Sequence, residues 1–187
     1  MKKTWLLVLA GMLFFTGMAF SQGTPIVAEW VIYDDHEPPN NGDSKITMTQ
    51  VTMDGQPAYR FTGNTTTKYQ YGFTGWTAKP DAAGMALIKT LKPTSTLTFK
   101  VRGDGKRYTV KLRSNKVMDY AVHEFHFPTT AGQTTTVTVQ FRQFMQPSWG
   151  QSVRLNPADI EDIQWQTHES WRPGSYDVTV WDLRINP

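Results

Sequence analysis

From Leu97 onward, apolar residues recur at every second position: Leu97, Phe99 and Val101; Tyr108, Val110 and Leu112; Phe125 and Phe127; Val137, Val139 and Phe141; Ile163 and Trp165; Tyr176, Val178 and Val180. Period-two alternation sends successive side chains to opposite faces of an extended chain, so each run predicts a strand with one buried face. The runs are rich in β-branched and aromatic residues and are separated by Gly, Pro, Asn and Asp. Helical periodicity is nearly absent. Asn156 before Pro157 favours at most a short helical turn ahead of Ile163. The pattern predicts an all-β sandwich. Within it, Val101-Arg102-Gly103-Asp104-Gly105-Lys106-Arg107-Tyr108 reads as a β-hairpin, its glycines supplying the positive φ of a tight turn. Arg102-Gly103-Asp104 also spells an adhesion tripeptide, but Gly103 and Asp104 are turn formers, and the turn accounts for them.

The chain opens differently. Lys2 and Lys3 precede an apolar stretch from Trp5 to Phe20, with Ala19 and Ser21 as small residues before Gln22. This is the order of a secretory signal peptide, and the stretch is shorter than the ~20 residues that span a bilayer. Residues 1–21 are therefore expected to be a removable leader and residues 22–187 one domain. That domain would be periplasmic or secreted, with no membrane span after cleavage. The chain has 187 residues and no cysteine, which excludes a disulfide scaffold, a thiolate nucleophile and a cysteine zinc site. The formal charge of +3 belongs largely to the leader: without Lys2 and Lys3, 17 of the 19 basic side chains face 16 acidic ones, a net of +1. Nucleic-acid binding needs a concentrated basic footprint and is not expected.

If Phe99, Val110, Phe125, Val139 and Trp165 point inward, their neighbours share an outer face: Lys100, Arg102, Thr109, Lys111, Arg113, Glu124, His126, Gln140, Arg142, Gln164, Gln166 and His168. Half-exposed sheets carry polar outer faces in any sandwich. This one also offers donors and acceptors in both senses, which suits a ligand covered in hydroxyls. Tyr69, Tyr71, Phe73 and Trp76 cluster among glycines and threonines, and Trp149 and Trp171 lie in Pro/Gly-containing segments. Trp and Tyr present a flat apolar face that a pyranose ring can cover. Part of this aromatic set is expected in the core.

Catalytic constellations are weak. Of His36, His123, His126 and His168, the pair His123 and His126 has odd spacing on a strand and so points to opposite faces. There is no Gly-x-Ser-x-Gly elbow. Glycoside hydrolysis needs two opposed carboxylates, and Glu124 is the only acid placed on the polar face. No enzyme activity and no cofactor are expected. Asp34-Asp35-His36-Glu37 offers the hard oxygens that calcium takes, or serves as a solvated turn before Pro38 and Pro39.

Leu97 through Arg113 resembles the Arg-Gly-Asp-Gly hairpin segment of the complex I intermediate-associated protein (CIA) family. Three later blocks keep that family's order: Val137-Thr138-Val139-Gln140-Phe141-Arg142-Gln143-Phe144, Leu155-Asn156-Pro157-Ala158-Asp159-Ile160-Glu161-Asp162-Ile163, and Gly174 to Ile185. The same layout is similar to family 11 carbohydrate-binding modules. The resemblance implies a jelly-roll β-sandwich of two antiparallel sheets, galactose-binding-like, across Trp30 to Ile185. On the module branch it implies a non-catalytic domain holding a β-glucan-like polysaccharide or oligosaccharide on one sheet. On the CIA branch it implies a protein-interaction or assembly module with an envelope protein as partner. Tyr69-Gln70-Tyr71-Gly72-Phe73 resembles the module family's early aromatic block, so stacking falls to Tyr69 and Tyr71. Trp181 stands where the family often has an aspartate that resembles a calcium ligand, leaving Asp34, Asp35 or Asp182 for any such ion. The expected ligand set is Tyr69, Tyr71, Trp76 and Trp149 for stacking, with Glu124, His126, Arg142 and Gln166 for hydrogen bonds.

Overall fold

The computed structural model describes residues 23–168 and 173–187; the expected leader lies outside the described residues, as does Trp171. Among the described residues, eleven strands follow in chain order: β1 (Thr24–Pro25), β2 (Ala28–Asp34), β3 (Lys45–Met53), β4 (Gln56–Thr65), β5 (Thr74–Pro80), β6 (Thr96–Arg102), β7 (Arg107–Ser114), β8 (His123–Pro128), β9 (Thr134–Gln140), β10 (Ile160–Thr167) and β11 (Gly174–Asn186). They form two antiparallel sheets. One has the order β3-β4-β11-β6-β9 with β1 on β11, the other β2-β5-β10-β7-β8. This is the expected jelly-roll sandwich.

The inward residues of the two sheets meet in one core. Phe61 on β4 stacks on Trp76 on β5 with centroids 4.3 Å apart, and Phe99 on β6 meets Trp165 on β10 edge-on at 5.4 Å. Each fully buried large apolar side chain stabilises the fold by about 1.5–3 kcal/mol relative to exposure. The β3–β4 hairpin turns at Asp54 and Gly55, both with positive φ, as a two-residue turn of that hand requires.

Two local expectations are corrected. Strands β6 and β7 do not form a hairpin. β6 pairs with β11 and β9, whereas β7 pairs with β10 and β8, so the Gly103–Lys106 turn carries the chain from one sheet to the other. Asp104 holds this crossing: its carboxylate accepts from Tyr108 Oη at 3.0 Å, Lys106 N at 3.1 Å and Asp177 N at 3.2 Å. Consequently the expected single polar face is divided. Lys100, Arg102 and Gln140 belong to the β6–β9 sheet, and Thr109, Lys111, Glu124, His126, Gln164 and Gln166 to the other. In addition, a helix, α1 (Ala82–Ile88), follows β5, capped by Asp81, which accepts from Gly84 N at 2.8 Å. The turn at Pro157–Asp159 is the short helical one expected after Asn156.

Candidate ligand-binding face

Cross-strand register lines up two rows of outward side chains over the five-stranded sheet. One runs Tyr33, Gly75, Gln166, Thr109, His126; the next runs Val31, Thr77, Gln164, Lys111, Glu124. Neighbouring strands lie ~4.8 Å apart, so each row reaches ~19 Å from edge to edge.

The polar groups are tied to one another. Lys111 Nζ donates to Gln166 Oε1 at 2.6 Å and lies 4.0 Å from Glu124 Oε2. Burial pushes the Lys111 ammonium below the usual lysine value, with Glu124 pulling the other way. His126 Nε2 lies 3.4 Å from Glu124 Oε1. Thr109 Oγ1 is 2.9 Å from His126 Nδ1 and 3.0 Å from His168 Nδ1, and the two imidazole centroids are 4.1 Å apart. A hydroxyl has one hydrogen, so at least one of these rings carries its proton on Nδ1. At the margin, Arg113 donates to Asp162 at 2.6 Å and pairs with Glu161 at 2.7 Å. Side chains fixed in this way lose little further freedom when a ligand arrives.

Tyr33, which sequence reasoning missed, closes the β2 end. Its ring lies over Gly75 and its hydroxyl donates to the Trp165 carbonyl at 3.2 Å. The signal available in the sequence was Gly75, because a glycine inside a strand marks a close approach. Phe73 lies 6.1 Å from Tyr33, Tyr69 packs edge-on against Phe73, and Tyr71 packs edge-on against Tyr69. Tyr71 is 56% exposed and Tyr69 half-buried. This loop is anchored by Asp35, fully buried, whose carboxylate accepts from Ser44 Oγ at 2.7 Å, Ser44 N at 3.0 Å and Phe73 N at 3.3 Å.

The expected site residues therefore separate. Glu124, His126 and Gln166 come together on the rows, with Tyr69 and Tyr71 beyond the Tyr33 end. Trp76 does not belong: it is completely buried and faces Phe61 across the core. Arg142 does not either. It sits on the 3-10 turn Phe141–Gln143 after β9 of the other sheet, and its Nε donates to Gln140 Oε1. Trp149 is 58% exposed in the segment after β9, near the β8 edge. Between Glu124, His126, Gln143, Met145 and Pro147, that edge has an open cavity of about 420 Å³.

The carboxylates of Asp34 and Asp35 in the acidic run, and of Asp182, are engaged within the protein. Both Asp35 oxygens accept from N–H or O–H donors, Asp34 accepts from His36 N, and Asp182 accepts from Arg184 Nε at 2.6 Å. Among the described residues, no three His, Asp or Glu side chains are grouped to hold a metal ion. Nor, among them, is any helix long and apolar enough to cross a membrane.

Residues 18–180 match the model of the complex I intermediate-associated protein 30 (CIA30) family, and the chain belongs to that family. No curated protein sequence matches. The fold is shared with the family 11 carbohydrate-binding module of the cellulosomal cellulase Lic26A-Cel5E of Clostridium thermocellum, at 16% identity and a TM-score of 0.59, over 85% of this chain and 88% of that one. A family 30 carbohydrate-binding module is similar at 15% identity and a TM-score of 0.53, over 88% and 84% of the two chains.

Proposed function

We propose that this protein is a non-catalytic carbohydrate-binding domain, exported by its N-terminal leader, that holds a β-glucan-like chain across the outer face of the five-stranded sheet. The observation that carries this reading is the pair of in-register polar rows, already hydrogen-bonded within themselves, with exposed Tyr71 beyond one end. Hydroxyls of the sugar meet Gln166, Thr109 and His126 in one row and Gln164, Lys111 and Glu124 in the other. Tyr71 and Tyr69 stack on a ring at the Tyr33 end. The fold shared with carbohydrate-binding modules supports the reading.

Affinity electrophoresis of the protein lacking its leader, through gels containing soluble β-glucans, tests this. The parent should be retarded, and Tyr71→Ala and Glu124→Ala should migrate as though no glucan were present. Free migration of the parent across a panel of β-glucans, or unchanged retardation of both variants, overturns it.

Membership of the CIA30 family favours a second reading, a protein-interaction or assembly module in the cell envelope. It expects a defined envelope protein to copurify with the native chain and the polar rows to be dispensable for that capture.

A further inference from the structure

The five-stranded sheet does not end cleanly at β8. Met145 pairs with Glu124 in antiparallel fashion through two backbone hydrogen bonds of 2.9 and 3.0 Å. Residues opposite one another in such a pair share a face, so Met145 continues the Val31-to-Glu124 row by one strand position, ~4.8 Å further. It is exposed, as are Tyr120 and Trp149 on the segments that follow β7 and β9.

These two segments are braced against each other by polar side chains. Asp119 accepts from Ala121 N at 2.9 Å and Gln151 N at 2.7 Å. Those N–H groups, Gln151's foremost, hold the Asp119 carboxyl below the usual range. Gln146 Nε2 donates to the Ala121 and Gln151 carbonyls, both at 2.6 Å, while its Oε1 accepts from Val153 N at 2.8 Å. Gly150 has a φ of 84° and lies so close to Ala121 that a Cβ would meet the alanine methyl at 2.6 Å. A loop pair fixed by five hydrogen bonds, yet presenting Tyr120, Met145 and Trp149 to water, is ordered in advance for contact.

Building on the glycan reading above, we propose that the binding surface runs past β8 over Met145 to Trp149. This rim takes the end of a long β-linked chain whose middle lies on the polar rows. Glycan is the occupant because the rim shares Glu124 and the edge cavity with those rows and continues one of them in register. Trp149 contacts the ligand; Asp119 and Gln146 are positioning residues. The domain then discriminates by chain length, gaining affinity only from oligosaccharides that reach the rim.

Isothermal titration of the protein lacking its leader, with cello-oligosaccharides from the disaccharide to the hexasaccharide, tests this, using mixed-linkage oligosaccharides of the same lengths as a second series. Trp149→Ala should cost about five- to tenfold in affinity for the longest ligands, the value of one ring stack, and leave the shortest unaffected. Asp119→Ala should do the same, with Asp119→Asn recovering part of the loss. Equal loss at every length, or none at the longest, overturns the rim while leaving the glycan reading in place. Failure of the parent to bind either series overturns the rim and the glucan assignment together.

Discussion

The phenol ring of Tyr33 occupies the space that a side chain at position 75 would need: a Cβ on Gly75 would lie 2.3 Å from the ring and 2.5 Å from the Trp165 carbonyl oxygen. The backbone oxygen cannot move away as a side chain can. Gly75→Ala should therefore expel Tyr33 and break its bond to Trp165, destabilising the protein by about 1–3 kcal/mol. Urea unfolding followed by circular dichroism should show a lower midpoint, and glycan affinity should fall with it.

Trp76 and Tyr71 stand five positions apart and should behave oppositely. Removing the buried Trp76 ring leaves a cavity beside Phe61, so Trp76→Ala is expected to cost about 3–5 kcal/mol. Tyr71→Ala, on an exposed ring, should stay within about 0.5 kcal/mol of the parent while losing ligand. Thermal melts of the two variants check both figures.

Asp35 couples two loops through Ser44 and Phe73. Asp35→Ala leaves Ser44 Oγ, Ser44 N and Phe73 N without their acceptor in a closed site, and a loss of about 2–4 kcal/mol is expected. Hydrogen exchange should show protection falling first in residues 36–44 and 66–73. Because Tyr71 rides on the second segment, affinity should drop even at temperatures where the fold persists.

Acid should weaken the fold in two separate windows. Burial holds the His123 imidazole below its ordinary value, and its Nδ1 has no hydrogen-bond partner. The unfolded chain thus takes up this proton first, so the contribution is complete above ~6.5 and is lost as pH falls from there toward the depressed folded value. Asp177 is held low by its hydrogen bonds to Arg60. Its contribution is present above ~3.9 and is lost as pH falls through the folded value. Denaturant midpoints measured from pH 8 to pH 3 should show both declines, with His123→Leu flattening the upper one and Asp177→Asn the lower.

The strands from β6 to β11 were legible because alternation is a local property, and Phe99, Val110, Val139 and Trp165 do point inward. Which sheet a strand joins is not local. Gly103 and Gly105 look the same in a hairpin and in a crossing between sheets, and the outcome depends on β9, β10 and β11, far along the chain. Trp76 looked accessible because Thr74, Gly75 and Thr77 surround it with loop-like residues. They form a strand flanked by β2 and β10, with Tyr33 covering the glycine. Helix α1 had a readable start in Asp81, but seven residues carry too little periodicity to stand out. On the site, Glu124, His126, Gln166 and His168 followed from alternation alone, whereas Tyr33 is joined to them only by register.

Strand β11 sits between β4 and β6, taking Ala58 to Thr65 as partners on one flank and Thr96 to Arg102 on the other. Among the described strands, synthesis delivers it after all the others. Until it arrives, the β3–β4 hairpin and the β6–β9 pair each lack the neighbour that joins them into one sheet. Pairing β4 with β11 closes a loop of more than half the chain, the kind of non-local contact that slows folding. A chain that lacks β11 therefore holds two separate pieces of this sheet, β3–β4 and β6–β9, with nothing to bridge them.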